Sequence, residues 1–236
     1  MREILDKILL NDNVVDEFYK NYNNPGFKKW LLGILPEIED CRNTKQDNPW
    51  HIYNCLDHIL HAVENINKLD KDYDENTRLI LAYTMFFHDI GKPKCFIRRY
   101  SNLYKREIDR FFNHNLESEK IASRVLPSLN FDKKQQEIIR LLTKEHDIFM
   151  FITLKDDYNK YHKTLSDKLI KDYIEKYNDY GDGAHLLKLL LMVGRADSMA
   201  QNPEMTKGSF ELLDAMETML ENYEKNKLLD NQENEN

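Results

Sequence analysis

The sequence predicts an all-α fold, a compact and irregular helical bundle, and three observations predict it. Breakers are scarce, with 7 glycines and 6 prolines in 236 residues, which disfavours a many-turned β fold. Two stretches, 79–87 (LILAYTMFF) and 186–193 (LLKLLLMV, Lys188 apart), are apolar nearly all round, as helices buried on every side must be. Helix start and stop signals recur, including Asp132 followed by Gln135 as a capping box, and Gly91 with Pro93 as a stop.

Taken in order, residues 3–22 and 27–40 read as helices on either side of the turn signal Asn24-Pro25-Gly26, and 43–50 reads as a loop. Helices follow at about 51–69, 76–90, 115–129, 132–147, 163–179, 183–201 and 208–226. The run 148–162 is less regular and has room for a loop or short strand. Residues 227–236, ending NQENEN, are polar and expected to be disordered. Hydrophobic residues make up 41 % of the chain, enough for one core, and the length fits a single domain over 1–236.

Composition narrows the function classes. A net charge of −7 argues against broad, non-specific binding to nucleic acid, though it leaves room for a local basic pocket. No uncharged run is long enough to cross a bilayer, and charges interrupt the first apolar segment, so neither a membrane span nor a secretory signal is expected. Cys41, Cys55 and Cys95 form no CxxC and cannot all pair; a reduced, cytoplasmic chain is the expectation.

The residues with chemistry fall in one order: His58, His88-Asp89 in FFHDIGKP, His114, His146, and Asp197 in GRADSMAQNP. Imidazole and carboxylate are the donors that hold Zn, Fe, Mn or Co while leaving positions open for water. Six such groups suffice for two metals if one carboxylate bridges them. His88-Asp89 and Asp197 each follow an apolar helix, where a lone carboxylate needs a cation or strong hydrogen bonds. On the helix at 51–69 the stripe through Ile52, Leu56, Ile59, Leu60, Val63 and Ile66 leaves His58 at its edge and His61 facing water. His51 lies on nearly the same line as His58 and is a support behind the ligands, a substrate contact or an ordinary helix-start histidine.

Taken singly, His114 reads as a surface histidine ahead of a helix and His146 as a core histidine; their order and spacing make them ligand candidates. Asp147 reads as a helix-end residue or a hydrogen-bond acceptor, and His162 and His185 as structural. Asp70, Asp72 and Asp74 imitate a calcium loop but lack its glycine and closing glutamate, so they read as a solvated turn. Lys92 and Arg195 are candidates for a substrate phosphate, and Arg195 equally for neutralising Asp197.

From about Trp50 to Pro203 the chain resembles the HD-domain superfamily of metal-dependent phosphohydrolases. FFHDIGKP, RADSMAQNP and RFFNHNLESEKIA are most similar to the HD domains of bacterial tRNA nucleotidyltransferases and their stand-alone relatives. The order of all six ligand candidates resembles the two-metal members. That resemblance implies an HD-type helical bundle in which His58, His88, Asp89 and Asp197 hold a first metal. His114 and His146 would hold a second, with Asp89 bridging. No strand-rich segment with paired acids precedes residue 50, so the chain does not read as a tRNA nucleotidyltransferase, and the GYP string of one cyclic-di-GMP phosphodiesterase class is missing.

The implied chemistry is hydrolysis of a phosphate ester or anhydride by metal-activated water. The divalent ions would be two in number, drawn from Fe, Mn, Co, Ni, Zn or Mg. Lys92 and Arg195 would offset phosphoryl charge, and His51 would supply the leaving-group proton. Phosphate follows from the metals; a nucleotide substrate follows from the resemblance alone. A di-iron oxygenase, a nucleotide sensor without turnover and a scaffold with a vestigial metal site are the rival readings.

Overall fold

Helices dominate the chain because its apolar residues recur at helical spacing and its polar residues cap the ends. The computed structural model describes residues 1–155 and 161–234, with the backbone path alone for 230–234. Eleven α-helices lie among the described residues: α1 Arg2–Leu9, α2 Val14–Tyr22, α3 Pro25–Ile34, α4 Glu37–Asn43, α5 Cys55–Leu69, α6 Glu75–Phe87, α7 His114–Val125, α8 Lys133–Glu145, α9 Asp167–Asn178, α10 Gly183–Met199 and α11 Lys207–Asn234. The centre is α5, α6 and α10, which pack on one another; α8 lies on α6, and α9 and α11 lie on α10. Ile80 to Phe87 are all buried, as the continuous apolar run requires. Likewise α10 buries Leu186, Leu187, Leu189, Leu190, Leu191 and Val193 and leaves Lys188 exposed.

Caps decide where most helices begin. Asn54, Asp74, Ser166 and Asp182 each accept a hydrogen bond from a first-turn backbone N–H. Asp132 and Gln135 form the expected capping box, at 2.8 and 3.0 Å.

The N-terminal region departs from the expected two helices. Residues 3–22 are split at Leu10–Asn13, where the buried Asn67 amide donates to the carbonyls of Leu9 and Asn11. Residues 27–40 are split at Leu35-Pro36, because proline has no N–H with which to continue a helix. The helix expected from 51 begins at Cys55, capped by Asn54, so Ile52 leaves the stripe and is 56 % exposed. His61 does not face water freely; it is half-buried and stacks on Tyr53. The Asp70 turn is not solvated throughout either, since Asp70 is buried and pairs with Arg78.

The 91–113 stretch, to which the sequence assigns no element, carries an antiparallel hairpin. Strand β1 (Phe96–Ser101) pairs with β2 (Arg106–Phe111), with Phe96 opposite Phe111 and Ser101 opposite Arg106. Its turn closes through Lys105 at φ 52°, without a glycine to announce it. A 3₁₀ turn (Ile148–Phe151) and β3 (Ile152–Thr153) lie in the irregular stretch, of which 156–160 lie outside the described residues; β3 pairs in parallel with β4 (Lys163–Thr164), so the helix expected from 163 starts instead at Asp167, capped by Ser166. The last helix runs past 226 to Asn234, through good helix formers and the i,i+4 pair Glu221 and Lys225, where disorder was expected. No helix among the described residues is long and apolar enough to cross a membrane.

Candidate metal centre

Helix ends deliver the chemical groups to one place. His88 is the C-cap of α6, His146 the C-cap of α8, and His114 the first residue of α7. His58 lies one turn into α5, and Asp197 lies near the end of α10. Carbonyls near a helix end lack intrahelical partners, and these histidines take up some of them. The Nδ1 of His88 lies 2.6 Å from the Met85 carbonyl, and that of His146 lies 2.8 Å from the Thr143 carbonyl. The Nδ1 of His114 lies 2.8 Å from the Phe111 carbonyl at the end of β2, and that of His58 lies 3.3 Å from the Ala200 carbonyl.

A carbonyl oxygen only accepts, so in all four rings the hydrogen lies on Nδ1 and Nε2 faces inward. The Nε2 atoms of His58 and His88 are 3.2 Å apart, and so are those of His114 and His146. Two ring nitrogens that close cannot both carry a hydrogen, so each pair presents at least one bare lone pair.

Asp89 stands between the pairs. Its Oδ2 is 3.0 Å from His58 Nε2 and 3.2 Å from His88 Nε2. Its Oδ1 is 3.0 Å from His114 Nε2 and 3.7 Å from His146 Nε2, and this buried atom has no hydrogen-bond partner. Asp197 completes the first group, with Oδ1 at 3.0 Å from His58 Nε2 and 3.7 Å from His88 Nε2. The Gln201 amide donates to that same oxygen.

Two donor groups therefore share Asp89: His58, His88, Asp89 and Asp197, and Asp89, His114 and His146. For a metal–ligand distance of about 2.1 Å, the edge of an octahedron is about 3.0 Å. Three of the four separations around Asp89, at 3.0, 3.2 and 3.0 Å, match that edge, and the orphaned Oδ1 and facing lone pairs are what a cation satisfies. The residues fit one ion in each group.

Electrostatics agree with this. Burial opposes charge on His88, but the charge of Asp89 and contacts with Asp197 and Asp89 outweigh it, pushing its pKa up to about 9. His58 and His146 are raised against the same burial penalty by their carboxylate neighbours. Burial would likewise lift Asp89 and Asp197, yet the surrounding cationic groups hold both well below the usual carboxylate range. The pocket favours positive charge wherever it comes from.

Lys92 belongs to this site in a different way from the one expected. Its buried ammonium lies 2.5 Å from Asp89 Oδ2, 2.8 Å from Gln46 Oε1 and 2.9 Å from His51 Nε2. Those three contacts use all three of its N–H groups, so none is left for a substrate phosphate. His51 is off the helix but remains beside the site, with its ring centre 5.0 Å from that of His58. Its Nδ1 meets Asn48 Oδ1 at 2.8 Å. Burial and the neighbouring Lys92 depress its pKa well below the usual range, so it is a neutral acceptor for the Lys92 ammonium.

Arg195 is not at the site. Two residues from Asp197, it points to another face of α10 and pairs with Asp214 at 2.6 Å and Glu217 at 3.1 Å. It neither neutralises Asp197 nor waits for a phosphate. Asp147 follows the cap and contributes charge beside His146 without joining the donor groups. His185 packs against Tyr73.

Sequence reasoning missed Gln46 and Asn48, which sit in the QDNPW loop with no periodicity to mark them. Buried Cys41 and Cys55 were assigned no role, yet their thiols donate at 3.6 Å to the carbonyls of Ile90 and Asp89 behind the His88-Asp89 turn. Gly91 allows the closest approach there: a Cβ would lie 2.5 Å from Ser118 N and 2.6 Å from the His114 carbonyl. No family model matches the chain.

Proposed function

We propose that this protein is an HD-type, metal-dependent phosphohydrolase that cleaves a phosphate ester or anhydride, with a nucleotide as the favoured substrate class. The observation that carries the reading is the shared carboxylate: Asp89 turns one oxygen to each of two histidine pairs whose Nε2 atoms face each other at 3.2 Å. Adjacent cation sites joined by a carboxylate suit phosphoryl transfer to water. The order of the ligands in the sequence supports the same class by resemblance.

His58, His88, Asp89 and Asp197 would hold one ion, and His114 and His146 with Asp89 the other. When bound, two divalent ions supply an acidified water and neutralise phosphoryl charge. The protein's own groups hold everything else in place. Backbone carbonyls fix each ring so that Nε2 faces the site. Lys92, held by Gln46 and His51, fixes Asp89 Oδ2 and is the nearest proton donor to the cluster. Substrate approaches from the His114 and Asp197 side, because His58, His88, Asp89 and His146 are buried.

The test is metal analysis joined to a panel of phosphoesters with Mn, Co, Ni or Mg added. Two metal equivalents and metal-dependent phosphate release are expected. Metal without release of phosphate, but with oxygen uptake by the iron-loaded protein, would replace this reading with the oxygenase. Neither metal nor turnover would end it.

A further inference from the structure

The net charge of −7 conceals a strip of opposite sign, where seven basic and two acidic residues lie between Lys92 and Phe112. Several of these cations are occupied. Arg98 pairs with Asp47 and Asp109, Arg106 with Asp47, Lys94 with Glu117, and Lys92 with Asp89. Arg99, Lys105 and Arg110 have no ion pair among the described residues.

The strand register sets Arg99 opposite Ile108 and Arg110 opposite Ile97, so both arginines leave the hairpin on one side. The Arg110 guanidinium lies over the Phe112 ring at 5.9 Å, and its Nε is shielded from water with no hydrogen-bond partner. Phe112 is 54 % exposed and stands two residues before His114. A guanidinium with no carboxylate partner is open to an anionic one, and a wet aromatic ring beside it offers a stacking face. Phosphate and base, alternating at short range, match that pair.

We infer that the β1–β2 hairpin binds a single-stranded nucleic acid, with phosphates on Arg99, Lys105 and Arg110 and a base on Phe112, leading toward His114. The general acidity of the chain confines binding to this strip. That the bound strand is also cut at the cation cluster rests on the hydrolytic reading above; the binding surface does not.

The experiment is anisotropy of a dye-labelled 12-nucleotide oligouridylate with the full chain in chelator, where nothing is cleaved. The observed binding constant should fall with salt at a log–log slope of about −2, as three phosphate contacts on a single strand require. Arg99→Glu combined with Lys105→Asn, the latter chosen because asparagine tolerates the left-handed turn, should weaken binding at least tenfold and reduce the slope to about −0.7. Phe112→Ala should weaken it by about tenfold and leave the slope alone. Thermal melts check that each variant is folded, and Arg99→Glu alone, on an exposed strand position, serves if the double variant is not.

Absence of binding by the wild type, equal binding by the variants, or equal competition by inorganic polyphosphate would each overturn the inference. Strand binding without hydrolysis of any phosphoester would remove the hydrolytic reading and leave this one standing. Hydrolysis of small phosphoesters without strand binding would do the reverse.

Discussion

The two halves of the donor cluster are built from different material. The first half, His58, His88 and Asp197 around Asp89 Oδ2, comes from the three helices that form the centre of the molecule. The second half, His114 and His146 around Asp89 Oδ1, comes from the edge, where the hairpin runs into α7 and where α8 ends. It has fewer donors, and His114 is 13 % exposed. The first half is thus tied to the integrity of the core, whereas the second can be lost with less harm. The inner ion should bind more tightly, and the outer ion should be the one that exchanges.

The largest effect comes from removing what the halves share. Asp89→Ala is expected to lose both metal equivalents and to lower hydrolysis at least about a hundredfold; full activity with metal retained would dissolve the pairing altogether. Next come changes confined to one half. His146→Ala should reduce metal content from two equivalents to about one and leave the inner ion in place, as read by elemental analysis after gel filtration. Unchanged content would make His146 a core residue only.

A middle-sized effect tests the approach of the two halves through the backbone. Gly91→Ala puts a methyl group where Ser118 N and the His114 carbonyl already lie within 2.6 Å. It should destabilise the fold by about 1–3 kcal/mol and weaken the outer ion before the inner one, as followed by chemical denaturation with metal titration. Gln46→Leu is expected to be of similar or smaller size. It leaves one buried N–H of Lys92 unmatched, a cost of about 1–3 kcal/mol, and should shift the pH dependence of turnover without changing metal stoichiometry.

The smallest effect concerns protons. With no metal, His88 has its pKa raised from 6.5 to about 9. The stability it adds is therefore complete below about pH 6.5 and declines as pH rises through about 9. The depressed Asp89 and Asp197 act in the opposite direction, adding stability above their usual range and losing it only in acid. Chelator-treated protein should melt a few degrees lower at pH 9.5 than at pH 6.5, whereas metal-loaded protein should hold level, because the ion replaces the proton. Equal slopes for both forms, by scanning calorimetry, would show that no ion takes the place of that proton.

How much of this was legible in the sequence also divides along the same line. The core helices α6 and α10 announce themselves by unbroken apolar runs, and the ligand candidates at their ends follow in readable order. The hairpin did not show, because FIRRYS and REIDRF lack clean alternation and Lys105 takes the left-handed turn position without a glycine. Spacing could not reveal where long side chains go. Lys92 folds back onto Asp89, and Arg195 leans toward α11, although both lie within three residues of a ligand candidate. Gln46 and Asn48 act through a loop whose path depends on Asp47 and Asp109, contacts more than sixty residues apart. The break at Pro36 has a local cause and was readable as a stop, whereas the break at Asn11 is held by Asn67, more than fifty residues on, and was not.

One detail has a kinetic consequence. In His88, His114 and His146 the ring binds the carbonyl three residues earlier, so the same side chain closes a chain segment and aims a donor atom. Folding the backbone therefore sets the receptor before any ion arrives. Uptake should then resemble filling a rigid socket, fast and with little change in circular dichroism, instead of the slow ordering that accompanies ions which must assemble their own cage.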